Sequence, residues 1–328
     1  MSQKVIAVVG ATGNQGSGVV RALLESTDFS VRAISTNLTS PHAQALLEQH
    51  PEAVSSGRLI LVEGNLADRA SMEAAFEGAY GLFAAFALMI PEAKEGEQPA
   101  EVTMGKSLVD TAKAAGIEHF VYSSLPNIKE ASGGRFSNVV HMDAKSVVER
   151  YAMEKLKGTT AVLPGSFYSN LKTPLYCARD EDGTAIFRIC LKPSSTLDWV
   201  DDRYDVGVFT AAIFNKGPST TAGKRYPIMT EPTSIAELAE EHHRITGEKT
   251  KFDPLPRAQA LEMVANFMGT EFVHEMREMF EWIDDKPAGK TCCGTMEKKD
   301  DTSFKDLGVK ASTLQQFMER TGWRVAAH

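Results

Sequence analysis

Residues 5–16 read VIAVVGATGNQG, an unbroken apolar run that passes into three glycines, Gly10, Gly13 and Gly16, spaced three apart. The run offers no polar face to water, so it reads as a strand buried on both sides, as at the centre of a parallel sheet. Gly10 permits a tight turn, Gly13 lets a ligand approach the backbone, and Gly16 allows a helix to pack closely on the strand. A helix is predicted at about 15–26, with Val19, Val20, Leu23 and Leu24 on one stripe. Its N-terminus presents free N–H groups and a positive dipole end, which together suit a diphosphate.

The same strand-then-helix unit repeats. Strands are predicted at 31–35, 58–64, 80–88, 119–124 and 159–165, with helical stretches near 41–50, 69–77, 99–115 and 139–157. This alternation predicts an α/β fold, a doubly wound parallel sheet over residues 1–165. After Pro164 the pattern changes to short strands (185–191, 197–200), helices (204–214, 234–246, 257–268, 271–283, 311–321) and a loop at 287–301. Residues 166–328 therefore read as a smaller α/β lobe, with some segments returning to the sheet and no linker between the halves.

A chain of 328 residues that is 43% hydrophobic can bury a substantial core. The net charge of −8 leaves no basic footprint, which argues against direct nucleic-acid binding. No run of 18 apolar residues is present, so no membrane span is expected, and MSQK leads straight into the first strand without a targeting segment. A cytoplasmic protein, with the nucleus also open to it, is the expectation. Cys177, Cys190, Cys292 and Cys293 form no metal-ligand spacing, and the adjacent Cys292 and Cys293 read as reduced thiols.

Residues 138–155 hold two candidate active-site pairs, His141 with Lys145 and Tyr151 with Lys155. In an open parallel sheet, ligands bind at the C-terminal edges of the strands. A returning helix starts at that edge and runs away from it, so a residue ten positions later lies about 15 Å further off. The Tyr151–Lys155 pair thus reads as a surface or packing feature. His141 and Lys145, one turn apart, face the edge where a nicotinamide would lie. Reduction of a carbonyl needs a proton donor for the developing alkoxide. His141 can serve, since histidine titrates near neutrality, and Ser124 at the end of the fifth strand is a second candidate. Lys145 can hold the nicotinamide ribose. At the second strand's end, Thr36 and Asn37 are neither acidic nor basic, so either NAD or NADP can be hydrogen-bonded there, and Asn65 falls where the adenine edge should lie. Arg32 shares a face with Ile34 and is expected to point away.

Taken together, GATGNQG, YSSLPNIKE, HMDAK, PGSFYSNL and WVDDRYDVG resemble the NmrA-like family, an atypical branch of the short-chain dehydrogenase/reductase superfamily, over nearly the whole chain. The resemblance implies a Rossmann-type domain that binds NAD(P)(H), with NADP(H) favoured and NAD(H) also admitted. It implies pyrophosphate contacts at Gly10, Thr12, Gly13, Asn14, Gln15 and Gly16, a ribose contact at Lys145, and Phe167, Tyr168 and Asn170 beside the nicotinamide. Many relatives carry arginine where Thr36 stands and aspartate where Asn65 stands.

Two functions follow from that resemblance. One is an oxidoreductase acting on a small carbonyl, enone or imine, with Lys145, His141 and Ser124 as catalytic candidates and Phe83, Phe86, Phe167, Tyr168 and Trp199 lining an apolar pocket; core packing accounts equally well for some of these aromatics, especially Phe83 and Phe86. The other is a catalytically silent dinucleotide sensor that regulates a protein partner such as a transcription factor. The acidic stretch 237–241 and the helix 271–283 would be its docking faces.

Overall fold

The computed structural model describes residues 3–86 and 98–326. Six strands in its first half, β1 (Val5–Val9), β2 (Ser30–Ser35), β3 (Leu59–Glu63), β4 (Gly81–Ala84), β5 (His119–Ser123) and β6 (Thr159–Pro164), follow the predicted runs. Residues 87 and 88, assigned above to the end of the fourth strand, lie outside the described residues. The strand Arg225–Ile228, from the second half, joins β6 and completes a seven-stranded sheet. From that edge the order is Arg225–Ile228, β6, β5, β4, β1, β2, β3, and every pairing is parallel. The winding reverses between β1 and β4, which opens a crevice beyond their C-terminal ends.

The strand Arg225–Ile228 has no counterpart among the strand positions predicted above, although segments of the second half were expected to return to the sheet. Pro227 interrupts its pattern, and a proline is tolerated there because an edge strand has one side with no ladder to complete.

The helices of this half are α1 (Asn14–Ser26), α2 (Pro41–Glu48), α3 (Pro51–Ser55), α4 (Arg69–Phe76), α5 (Ala100–Ala114), α6 (Ile128–Ala131) and α7 (Val140–Lys155). Alternate strand residues feed two cores. Ile6, Val8, Val31, Phe83 and Val121 pack with α1 and with the helix Tyr204–Lys216. Ala7, Val9, Ile34, Leu82 and Phe120 pack with α4, α5 and α7 on the other face. Each large apolar side chain buried this way contributes about 1.5–3 kcal/mol, and the double coverage explains why β1 carries no polar residue.

The helix Tyr204–Lys216 meets α1 backbone to backbone. A Cβ added to Gly207 would lie 2.2 Å from the Gly18 carbonyl oxygen, and one added to Gly18 would lie 1.6 Å from that of Arg203. Asp205 fastens the same helix. Its carboxylate accepts the Asp201 N–H at 2.9 Å, the Ser312 N–H at 2.9 Å and the Ser312 hydroxyl at 2.5 Å. The WVDDRYDVG stretch is therefore a fastening that ties the second half to the sheet.

The lobe's core collects Tyr168, Phe187, Trp199, Phe280, Phe317 and Trp323. Around it stand the helices Ile235–Thr246, Arg257–Met268, Val273–Asp285 and Leu314–Thr321, with a small sheet of Cys177–Arg179, Ala185–Phe187 and Thr250–Phe252. The predicted strand 197–200 is split. Thr196–Leu197 pairs with Thr233–Ser234, Trp199–Val200 pairs with Ser166–Phe167, and Asp198 sits between them. The predicted loop 287–301 contains a short hairpin, Lys290–Thr291 with Met296–Glu297, whose turn holds Cys292 and Cys293, both at φ 55. Neither cysteine is disulfide-bonded.

Candidate functional site

The glycine loop sits at the switch point. Gly10 has φ +77, and a Cβ there would meet the Ala85 carbonyl oxygen at 2.1 Å, so the loop after β1 lies directly against the chain leaving β4. A Cβ on Gly16 would meet the Gly10 carbonyl at 2.1 Å, which presses α1 onto the turn. No side chain caps the N-terminus of α1, where Gly13 is the N-cap residue. Its first N–H groups are thus left for an external anion. Gln15 is fixed by the Ser123 hydroxyl, which donates to its side-chain oxygen at 2.6 Å and so joins the loop to the end of β5.

A cavity of about 490 Å³ extends from this loop, bordered by Gly10, Gly13, Asn14, Gln15 and Gly16 and, further along, by Phe86, Glu101, His141, Lys145 and Phe167. The glycine cradle, the uncapped helix and a lysine at the far end together fit a dinucleotide. Thr12 is half-buried in the turn and does not border the cavity.

Lys145 is 12% exposed and ion-paired with Glu101 of α5, itself 7% exposed. Its Nζ also donates to the Phe86 carbonyl at 2.7 Å. Glu101 escaped sequence reading because it lies 44 residues away; an acid in the first turn of a helix signals only a favourable dipole contact.

His141 has a second unforeseen partner, Glu275 on the helix Val273–Asp285. One oxygen of Glu275 accepts the backbone N–H of His141 at 2.7 Å and contacts the ring Nδ1 at 2.5 Å. Glu278, one turn on, accepts the Asn138 backbone N–H at 2.7 Å and its side-chain amide at 2.6 Å. Val139 supplies no side-chain cap for α7, so Glu275 from the lobe does that work, while Glu278 holds Asn138 just before the cap. Glu275 and Glu278 of the helix read above as a docking face are thus engaged within the molecule. Burial opposes ionisation of Glu275, yet the His141 ring bond, its charge and its backbone N–H together hold the carboxyl below its ordinary range. An ionised carboxylate only accepts, so Nδ1 carries the hydrogen and Nε2 is the nitrogen left to exchange a proton.

The other candidates are scattered. Ser124 borders the cavity but is fully buried, and its hydroxyl approaches the Leu125 carbonyl at 3.4 Å. Tyr168 is 2% exposed and does not border this cavity; it is stacked between Trp199 and Phe317 at centroid distances of 5.6 and 5.3 Å. It and Trp199 are lobe core, because flat rings that stack on each other bury more surface than rings left along a cleft. Phe83 is sheet core, on the face of β4 covered by helices. Phe86 and Phe167 do line the cavity. Thr36 and Asn37 are exposed at the end of β2, where the Asn37 side-chain oxygen accepts the Thr39 N–H at 2.9 Å. The Asn65 side-chain oxygen likewise accepts the Ala67 N–H at 2.9 Å. Arg32 turns away, donating to the carbonyls of Ala75 and Glu77 at 2.8 Å each. Tyr151 donates to Asp110 at 2.8 Å, Lys155 pairs with Glu154 at 2.7 Å, and neither borders the glycine-loop cavity.

The family model described as the NmrA-like family matches residues 2–318. The chain belongs to the NmrA-like family. Among its relatives, an NmrA-like family domain-containing oxidoreductase, FrzB of Cladobotryum sp, is 30% identical over 274 residues, covering 79% of each chain. The crystal structure of NmrA, a negative transcriptional regulator in complex with NAD, matches this NmrA-like fold with a TM-score of 0.74 at 22% identity, covering 98% of this chain and 96% of that one. Its complex with NADP matches with a TM-score of 0.70 at 24% identity, with 98% and 96% covered. No helix among the described residues is long and apolar enough to cross a membrane.

A second cavity, of about 470 Å³, adjoins the first. His141, Leu125, Pro164, Phe167, Met268 and Met276 border both. Asn170 borders this second chamber and not the glycine-loop cleft.

Proposed function

We propose that the chain is an NAD(P)H-dependent oxidoreductase that reduces a carbonyl, enone or imine of an apolar small molecule seated in the second chamber. The observation that supports this most is the position of His141. It borders both cavities, and the Glu275 carboxylate fixes its ring so that Nε2 is the exchangeable nitrogen. NADP(H) is favoured by the family, and the neutral Thr36 and Asn37 also admit NAD(H).

Bound NAD(P)H would supply the hydride. The glycine loop and the N–H groups of α1 would hold the pyrophosphate. Lys145, kept at the cleft by Glu101 and the Phe86 carbonyl, would present its ammonium group to ribose hydroxyls. As hydride arrives at the substrate carbon, negative charge develops on the attached oxygen or nitrogen, and Nε2 of His141 would deliver a proton there. Glu275 would hold the ring during the transfer and stabilise the imidazolium before it gives up its proton, much as a carboxylate orients the histidine of a catalytic triad. The Ser124 hydroxyl, a far weaker acid than an imidazolium, already approaches the Leu125 carbonyl, so the donor role falls to His141.

A dinucleotide sensor needs no second chamber, and the 470 Å³ cavity next to His141 favours the enzyme reading. Such an enzyme would draw on the reduced dinucleotide of the cytoplasm or nucleus. The test is NAD(P)H oxidation against quinones, aldehydes, enones and imines. His141→Gln should lower kcat by about 10²–10⁴-fold, while Lys145→Ala should weaken dinucleotide binding about tenfold or more. Tight NADPH binding with no turnover on any of the four classes would overturn this reading and favour the sensor.

A further inference from the structure

The second chamber is apolar in a particular way. Met142, Met229, Met263, Met268, Met276 and Met279 line it, and six flexible thioethers make a wall that adapts to ring systems rather than to one rigid outline. Phe267 also borders it and is 84% exposed, which marks the mouth.

One polar group in that wall is out of place. Asp198 borders the chamber and is 3% exposed. Its Oδ2 accepts the Cys293 backbone N–H at 2.8 Å, whereas Oδ1 is buried with no hydrogen-bond partner among the described residues. A buried carboxylate oxygen without a partner costs several kcal/mol and is rarely tolerated unless something else satisfies it.

The surroundings hold this arrangement in place. Asp198 lies at the break between two short strands, and its carbonyl accepts the Ser166 N–H at 2.6 Å. Cys292 and Cys293 both adopt φ 55, a costly left-handed conformation for non-glycine residues. The Trp282 indole N–H donates to the Cys293 carbonyl at 3.0 Å and pins the turn that aims the Cys293 N–H at Asp198. Burial pushes the Asp198 carboxyl above its ordinary value, while the Lys286 charge and the Cys293 N–H work against that rise.

We infer that the chamber takes an apolar, ring-bearing substrate carrying a protonated amine, and that Oδ1 of Asp198 receives the amine. This rests on the hydride-transfer reading, since it names the substrate class of the same site. A charge-assisted bond from the amine would satisfy the orphaned oxygen and neutralise the buried charge. The methionines would hold the rings, with the reducible bond turned toward His141, which borders the same chamber. Lys286 borders the chamber as well, so a carboxylate ligand is the competing chemistry.

The test is calorimetric binding to the full chain with saturating NADP⁺, using three probes of equal length: a naphthyl-ethylamine, the corresponding methyl ether and a naphthyl-propionate. The amine should bind about 10- to 100-fold more tightly than the ether. Asp198→Asn retains an oxygen for the Cys293 N–H and should abolish the preference while leaving ether affinity unchanged. Equal binding of amine and ether, tighter binding of the propionate, or a preference that survives Asp198→Asn would each overturn the inference. If Asp198→Asn does not fold, the amine-to-ether ratio on the unmodified chain decides. Amine selectivity can be read without turnover. Selectivity with no NADPH oxidation would defeat the hydride reading alone, and NADPH oxidation without selectivity would defeat this inference alone.

Discussion

Replacing Glu275 by glutamine should loosen the joint between α7 and the lobe. The side chain is 8% exposed and makes two close contacts with His141, at 2.7 Å to the backbone N–H and 2.5 Å to Nδ1. Bonds to a charged group are worth about 1.5–3 kcal/mol and neutral ones about 0.5–1.5 kcal/mol. Glutamine keeps an acceptor but not the charge, so the two contacts together should lose about 2 kcal/mol. For a chain of this size that is a fall in Tm of about 3 °C. The effect has a defined pH dependence. The Glu275 carboxyl is held below its ordinary value, so its contribution is complete above the ordinary carboxylate range and is lost as pH falls through the lowered value. The gap between the variant and the parent should be full above the ordinary carboxylate range and should shrink as pH falls below that range toward the lowered value. Calorimetric melts from pH 7 down to about pH 3 measure the gap, and amide hydrogen exchange at His141 locates it. A variant that melts with the parent at pH 7, or a gap that stays constant over that whole range, would refute the reasoning.

Gly207→Ala places a Cβ 2.2 Å from the Gly18 carbonyl. The overpacking should cost about 1–3 kcal/mol, partly offset by the roughly 1 kcal/mol that alanine gains over glycine within a helix; a melt at or above the parent's would contradict the close crossing. Burial, reinforced by the charge of Lys4, lowers the His119 pKa to about 4 from 6.5. The unfolded chain therefore binds a proton that the folded one refuses between those values. Stability should be complete above pH 6.5 and fall by up to about 3 kcal/mol on acidification to pH 4, and urea unfolding of the parent and His119→Gln at pH 7 and pH 5 should show the difference shrink in the variant.

The sheet was legible because its signals are local. β1, the glycine turn and α1 are contiguous, and the direction of α7 alone places Lys145 at the ligand edge and Lys155 away from it. The partners of those residues were not legible, since Glu275 lies 134 residues from His141 and nothing in either neighbourhood records the other. Aromatic residues carry a signal open to two readings. Phe83 takes the core alternative and faces a helix-covered side of the sheet, while Tyr168 and Trp199, which have the composition of a pocket wall, stack together in the lobe core. Asp198 gave no signal because its meaning depends on a strand break and a strained turn 95 residues away.

The contact between Gly18 and Gly207 also bears on modularity. The helix Tyr204–Lys216 shields Val8, Phe83 and Val121 together with α1, and a fragment ending near residue 165 would leave part of that side of the sheet bare to solvent. Transplanting the second half from one relative to another would have to carry this helix and the strand Arg225–Ile228 as fixed cargo. Recombination points that respect the fold fall around those two elements, and a single cut after β6 would be the wrong place to exchange the halves.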